Sequence, residues 1–179
     1  IQVYPNVALT ARAMATLDLL PLLRVGELDV AFVTARAPMR EFHCLQVASF
    51  RLGIVATRNG DLAGVDRLSW PEVAQLPLIQ REPHAGTRRI FEEAAATAGV
   101  GIGTVLGLGS WGSITSLVRA GIGVGVGFEI ELTAADKDLK FVPIDDPALD
   151  AHQYLVTMPA MAETSLVTQF FEITLEICA

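Results

Sequence analysis

The stretch VALTARAMATLDLLPLLRVGELDVAFV, residues 7–33, decides the fold of this chain. Residues 7–14 predict a strand, and residues 28–33 form an almost continuous apolar run, which is typical of a strand buried on both faces of a sheet. The segment between them predicts a helix. Two strands connected through a helix form a βαβ unit, in which the strands run parallel. The stretch therefore indicates an α/β fold.

The helix of this unit has recognisable ends. Thr16 and Asp18 can each cap its N-terminus, because short oxygen-bearing side chains accept hydrogen bonds from the first free N–H groups. We expect Asp18 to be the cap, since Pro21 then lies at the third helical position, where its missing N–H has no intrahelical partner. Gly26 suits the turn that ends a helix.

Strands and helices continue to alternate up to the C-terminus. Apolar runs predict strands at residues 50–57, 78–80, 104–108, 124–127, 139–144 and 153–157, and further helices begin near Ser69, Thr87, Ser110 and Thr164. This order predicts an α/β protein with largely parallel sheets. We expect two lobes, with residues 1–57 and 160–179 in lobe one and residues 58–159 in lobe two. In such sheets a ligand lies beyond the carboxyl ends of strands, where helix N-termini converge.

The composition limits the partners that the chain can bind. Of its 179 residues, 51% are hydrophobic and 18% are charged, so a substantial core can form and a disordered chain is excluded. The net charge is −7, and the densest basic spot is the pair Arg88-Arg89. Proteins that bind nucleic acid present a basic face to the phosphates. We therefore expect no direct contact between this segment and DNA or RNA.

No feature of the sequence indicates export or insertion into a membrane. Residues 1–5 form neither a charged nor an apolar leader, so no signal peptide is visible. The most apolar stretch, residues 117–128, is too short to cross a bilayer and contains four glycines and Arg119. Cys44 and Cys178 lie far apart, and we expect free thiols. These features favour a cytoplasmic protein that does not bind membranes.

Three short motifs occur in register along the chain. They are residues 26–31 (GELDVA), residues 77–79 (PLI) with a Gly-Thr-Arg helix start at 86–88, and residues 117–124 (LVRAGIGV). In order and spacing they resemble the effector-binding domain of LysR-type bacterial transcription regulators over almost the whole chain. The resemblance implies a type 2 periplasmic-binding-protein-like fold, in which two α/β lobes joined by crossover hinge strands hold a small effector between them.

The same resemblance implies further segments and partners. Residues 4–7 (YPNV) resemble the segment before the second strand of the family, so we expect a first strand and its helix upstream of Ile1. The family also implies an N-terminal winged helix-turn-helix domain, absent from this sequence, through which alone DNA would be bound. A homodimer or tetramer is implied as well.

A narrower resemblance concerns the effector. Arg81-Glu82 followed by Thr87-Arg88, and residues 128–131 (FEIE) followed by 138–140 (DLK), are similar to the LysR subgroup associated with aminoethylphosphonate catabolism. The sequence departs from that subgroup by placing His84-Ala85 where Gly-Ser is usual. The resemblance implies a small anionic or zwitterionic effector, with phosphonates among the candidates.

Residues 81–88 form the most chemically informative stretch. Free amides at a helix start, the positive end of its dipole and two arginines are suited to hold an anion. The alternative is a solvated loop in which Arg81 pairs with Glu82 or Glu92. The candidate ligand-binding residues of this stretch are Arg81, Gly86, Thr87 and Arg88.

Other candidates lie at the ends of predicted strands. Thr16 either caps its helix only or also faces the effector, and Thr34 is either a polar contact near the hinge or an ordinary strand end. Ser110 and Trp111 open a helix at the end of another strand. Trp111 either lines the pocket, which we favour because neighbouring glycines allow close approach, or fills the core. Phe128 has the same two alternatives.

The sequence offers little for catalysis. His43, His84 and His152 have no metal-ligand spacing, and no nucleophile elbow or phosphate-binding loop occurs. Asp145-Asp146, next to Pro147, is typical of a turn. We therefore expect no enzyme, no metal and no cofactor. The leading hypothesis is an effector-sensing domain, and the alternative is the solute-binding protein of a transporter, which would require a signal peptide upstream of Ile1.

Overall fold

The computed structural model describes residues 7–146 and 149–178, in which helices and strands alternate along most of the chain. The helices are α1 (Thr16–Arg24), α2 (Trp70–Val73), α3 (Gly86–Thr97), α4 (Trp111–Arg119), α5 (Pro159–Ala162) and α6 (Ser165–Cys178), with a 3-10 turn at Glu129–Glu131. The strands are β1 (Ala31–Ala35), β2 (His43–Thr57), β3 (Leu78–Arg81), β4 (Thr104–Leu108), β5 (Val124–Phe128), β6 (Leu139–Pro143) and β7 (Asp150–Thr157). The predicted α/β class is confirmed. Residues 4–6 of the YPNV motif and Pro147 lie outside the described residues.

The seven strands form a curled sheet in the order β1-β7-β2-β5-β3-β4, with β6 also paired to β2. The expectation of largely parallel sheets needs correction. Parallel pairing is confined to β3 with β4 and β5, whereas β2 pairs antiparallel with β5, β6 and β7, and β7 pairs antiparallel with β1. Most of the antiparallel pairing involves β2, a strand of 15 residues that is the neighbour of three other strands.

The strand predicted at residues 7–14 is wrong. These residues lie outside the helices and strands, and nearly all of them are exposed. An extended segment becomes a strand only when a neighbour accepts and donates its backbone hydrogen bonds, and among the described strands β1 pairs with β7 alone. The start of the chain therefore contributes α1 and β1, without the parallel partner that the sequence suggested.

The ends of α1 differ in how well they were predicted. The helix begins at Thr16 with Ala15 in the capping position, and no side chain caps it, so neither Thr16 nor Asp18 is the cap. Pro21 consequently lies inside the helix. The expected stop at Gly26 is confirmed, since its φ of 74° is a left-handed conformation that glycine adopts without strain.

Three clusters of buried side chains lie in the two lobes. One lies between α1, β1 and β7 and includes Leu23, Val33 and Val156. The other two lie around β3 and β5, and the larger of them includes Phe91 of α3, whereas the smaller includes Ile114 of α4. The first part of β2 pairs with β7, and its last part pairs with β5 and β6.

The strand β2 runs through both lobes. The lobe boundaries that the sequence suggests, at residues 57/58 and 159/160, therefore stay a prediction.

In the part of the chain that the structure describes, no helix combines the length and apolarity needed to cross a membrane.

Candidate functional site

A cavity of about 320 Å³ lies between the two lobes. Its volume is at the lower end of the range for pockets that bind small molecules. Both lobes contribute to its wall, and most of the contributing residues lie at the ends of strands or at the first turns of helices. The candidate residues that line it are Thr16, Thr34, Arg81, Gly86, Thr87 and Phe128.

Two helix N-termini meet at this cavity. Thr16 begins α1 and Gly86 begins α3, and the two helices come from different lobes. A Cβ atom on Gly86 would lie 2.5 Å from the carbonyl oxygen of Thr34 and 3.1 Å from Oγ1 of Thr16, so only glycine permits this approach. The first N–H groups of a helix lack intrahelical partners and lie at the positive end of its dipole. The arrangement therefore favours a negatively charged ligand group.

Arg81 adds a positive charge to the same cavity. It is the last residue of β3, and its Nη2 donates a hydrogen bond to the carbonyl oxygen of Gly109 at 2.9 Å. Its Nε lies 3.6 Å from Oε2 of Glu82, and both of these buried atoms lack a hydrogen-bond partner. The pairing with Glu82, which the sequence offered as the alternative, is thus present as a loose ion pair, while Arg81 still lines the cavity.

Arg88, the second arginine of the predicted anion site, is not among the residues that line the cavity. Its Nε donates to Oε1 of Glu92 at 2.7 Å, and its Nη1 donates to the carbonyl oxygen of Arg81 at 3.3 Å. Glu92 lies one helical turn further along α3, where i and i+4 side chains meet. Arg88 therefore stabilises the start of α3 and the end of β3 from outside the cavity.

Ser110 and Trp111 are also outside the cavity. The hydroxyl of Ser110 caps α4 by accepting a hydrogen bond from the N–H of Ser113 at 3.1 Å. Trp111 covers Gly127, where a Cβ atom would collide with the indole ring, and its Nε1 donates to the carbonyl oxygen of Glu131 at 3.2 Å. The glycine-rich strand β5 thus receives the Trp111 side chain, and the favoured pocket role of Trp111 stays a prediction.

Phe128 combines the two alternatives that the sequence left open. It is 6% exposed and belongs to the larger core cluster, yet it also lines the cavity. Its ring centroid lies 5.4 Å from that of Phe50, which lines the cavity as well. These two rings form an apolar wall between the polar groups.

Several lining residues escaped the sequence analysis, of which Glu131 is the most significant chemically. It is half-buried, and its Oε2 accepts a hydrogen bond from the N–H of Phe128 at 2.8 Å. Burial raises the pKa of the Glu131 carboxyl above its usual value, and the Phe128 N–H and the charge of Arg81 oppose this shift. Gln153 of β7 also lines the cavity, and no signal in the sequence identified it.

The two lobes touch beside the cavity through His84. Its Nδ1 lies 2.7 Å from Oδ1 of Asp18, and its carbonyl oxygen accepts a hydrogen bond from the N–H of Leu17 at 3.3 Å. Asp18 is the third residue of α1, so its carboxylate contacts His84 instead of capping the helix, and the His84 carbonyl satisfies one of the N–H groups at the helix start. The described residues contain no group of three or more histidine, cysteine, aspartate or glutamate side chains that could hold a metal ion.

Comparison with protein families gives a match along the entire chain. The family model described as LysR substrate binding domain matches residues 1–179. The solved structures that resemble the chain include the CcmR regulatory domain of Synechocystis PCC6803 in complex with 2-PG, with a TM-score of 0.86 and 20% identity over 99% of this chain and 86% of that one. The effector binding domain of QuiR in complex with shikimate gives a TM-score of 0.79 and 19% identity over 92% and 78%. These likenesses establish the two-lobed fold.

The curated relatives that the chain matches are longer proteins. An uncharacterized HTH-type transcriptional regulator, YfeR of Shigella flexneri, is 22% identical over 123 residues, which cover 69% of this chain and 40% of that protein. A second such regulator, MJ0300 of Methanocaldococcus jannaschii, is 29% identical over 71% of this chain and 45% of its own length. The chain thus spans less than half the length of these regulators.

A third relative is named as an import protein rather than as a regulator. The phosphonates import ATP-binding protein PhnC of Anaeromyxobacter dehalogenans is 24% identical over 176 residues, which cover 95% of this chain and 35% of that protein.

Proposed function

The chain belongs to the LysR substrate binding domain family, and we propose that it senses a small anionic or zwitterionic metabolite in the cavity between its lobes. The observation that carries this proposal is the meeting of two helix N-termini with Arg81 at one cavity. The start of α3 offers N–H donors without intrahelical partners, both helix starts contribute positive dipole ends, and Arg81 adds a guanidinium that lines the cavity beside its loose ion pair with Glu82. A small anion receives directed hydrogen bonds from both lobes there, which favours the closed arrangement.

The larger protein is proposed to be a transcription regulator. The chain spans 40% and 45% of the lengths of two HTH-type regulators that it matches, which supports a separate DNA-binding part. With a net charge of −7 the domain itself is poorly suited to bind phosphates. We propose that it acts in the cytoplasm as a homodimer or tetramer, by binding an effector rather than by catalysis. The effector shifts the population of assembly arrangements that present the DNA-binding parts differently.

The protein segment encoded immediately before Ile1 tests this larger proposal. A helix-turn-helix sequence there supports a regulator, and a signal peptide there supports the alternative, a solute-binding protein of a transporter. The family match supports the first outcome.

Ligand-induced stabilisation tests the effector site itself. Phosphonates come first in the screen, because the relative that covers 95% of this chain is named for phosphonate import, and small carboxylates follow. A ligand at about 100 times its Kd adds roughly 2.7 kcal/mol to the free energy of unfolding. Arg81→Ala should abolish this stabilisation without unfolding the domain.

The matched control for Arg81→Ala is Arg89→Ala. Arg89 lies on α3 outside the cavity, exposed and 3.2 Å from Glu93, so its removal should leave the ligand response unchanged. Equal responses of the parent and Arg81→Ala to every binding ligand would contradict the proposed site.

A further inference from the structure

One carboxylate, that of Glu131, is among the described residues that line the cavity. Glu131 lies in the 3-10 turn that follows β5 and lines the same cavity as Arg81. Its Oε2 accepts the Phe128 N–H, and none of the ion pairs among the described residues includes Glu131. A half-buried carboxylate that makes no direct ion pair lowers the stability of the fold. The energetic cost indicates a purpose other than packing.

Glu131 does not need its negative charge to cap the 3-10 turn. The hydrogen bond to the Phe128 N–H uses a single oxygen, which a glutamine amide would supply equally well without the cost of burying a charge. A carboxylate here also weakens the binding of any purely anionic ligand, because like charges in one small cavity repel. Both considerations favour a ligand that brings its own positive group to Glu131.

We propose that Glu131 is the cation-binding half of the effector site and that the effector is a small zwitterion. This inference rests on the proposed function. The anionic group of the ligand binds Arg81 and the N–H groups at the start of α3, and its ammonium group binds the carboxylate of Glu131. The rings of Phe50 and Phe128, 5.4 Å apart between centroids, line the cavity as well and favour an adjacent cation through their π faces.

Matched pairs of ligands test the charge requirement in the full chain. Binding of 2-aminoethylphosphonate and ethylphosphonate, and of β-alanine and propionate, is measured by isothermal titration calorimetry at pH 7.5. The members of each pair share their carbon skeleton and anionic group and differ in the ammonium group. A hydrogen bond between charged groups predicts that the amino member of at least one pair binds about tenfold or more tightly.

Glu131→Gln tests the residue. The glutamine oxygen can still accept the Phe128 N–H, so the turn keeps its cap, and the preference for the amino member should fall to about twofold or less. Binding of the member without an amino group should stay the same or improve. Glu129→Gln is the control, because Glu129 lies in the same turn but is exposed and paired with Arg51 at 2.6 Å.

The outcomes separate this inference from the function on which it rests. If the parent binds both members of each pair equally, the zwitterion is overturned while an anion-sensing cavity stands. If the parent prefers the amino member and Glu131→Gln keeps that preference, the role of Glu131 is overturned. If no probe binds, both the inference and the proposed function are contradicted. The comparison in the parent protein needs no variant, so poor folding of Glu131→Gln leaves the ligand class decided.

Discussion

The substitution Gly86→Ala should improve the helix propensity of α3 but disturb the packing at the contact between the lobes. Alanine is the better residue within a helix by up to about 1 kcal/mol, and Gly86 begins α3. The new Cβ atom, however, would lie 2.5 Å from the Thr34 carbonyl oxygen, about 0.9 Å inside the 3.4 Å at which ordinary contact begins. The obstacle is backbone, which cannot rotate away, so the start of α3 must withdraw from β1.

The packing term should exceed the propensity term. Where the obstacle is backbone, overpacking reaches about 3 kcal/mol, which leaves a net loss of about 2 kcal/mol once a gain of about 1 kcal/mol in helix propensity is subtracted. For a chain of this size that corresponds to a fall in Tm of about 4–8 °C. Withdrawal of the α3 amides from the cavity should also weaken the binding of any anion.

Urea unfolding and thermal melting measure the effect, with Gly112→Ala as the matched control. Gly112 is the second residue of α4, and a Cβ atom there would meet nothing within 4 Å. The control should therefore be as stable as the parent or more stable. Equal stability of Gly86→Ala and the parent would refute the close approach of the lobes at this glycine.

Three further predictions concern charged groups. Arg88→Ala should keep the response to an effector in a thermal-shift assay, because Glu92 and the Arg81 carbonyl hold the Arg88 guanidinium outside the cavity. A loss of response as large as that of Arg81→Ala would indicate that Arg88 binds the effector. Hydrogen bonds from Thr133 and then from Arg119 hold the pKa of Asp136 at about 2, so a contribution to stability that is present above the ordinary carboxyl pKa should be lost as the pH falls towards 2. In urea unfolding between pH 2 and 5, the free energy of unfolding should depend less on pH in Asp136→Asn than in the parent. An unchanged pH dependence would argue against this contribution of Asp136. Burial raises the pKa of Glu131, so its contribution has the opposite sign and is lost as the pH rises through that raised pKa; Glu131→Gln should therefore gain stability over the parent at pH 8 in thermal melting, whereas a loss there would count against the buried charge.

Much of the fold could be predicted because it depends on local signals. The apolar run at residues 28–33 overlaps the first part of β1 (Ala31–Ala35), and Gly26 ends α1 as its position suggested. The antiparallel pairing of β2 with three strands could not be predicted, because no local pattern distinguishes a long crossing strand from a short one. The missing strand at residues 7–14 has the same origin, since a strand depends on a partner elsewhere in the chain.

The residues of the candidate site could also be predicted only in part. Thr16, Arg81 and Gly86 were found because strand ends and helix starts are visible in the sequence. The i,i+4 spacing of Arg88 and Glu92 was also visible and could have indicated that Arg88 is held along the helix. Gln153 reaches the cavity through the pairing of β7 with β1 and β2, which is a property of the tertiary structure.

An NMR titration of backbone amides with 2-aminoethylphosphonate, and with whichever probe binds most tightly, would locate the ligand. If the cavity between the lobes is the binding site, the largest chemical-shift changes occur at the amides of Gly86 and Thr87 and at Thr16. Lobe two has a second concavity, lined by residues that include Arg58, Thr133 and Lys137. Changes confined to that surface, with the amides at the start of α3 unmoved, would contradict the account.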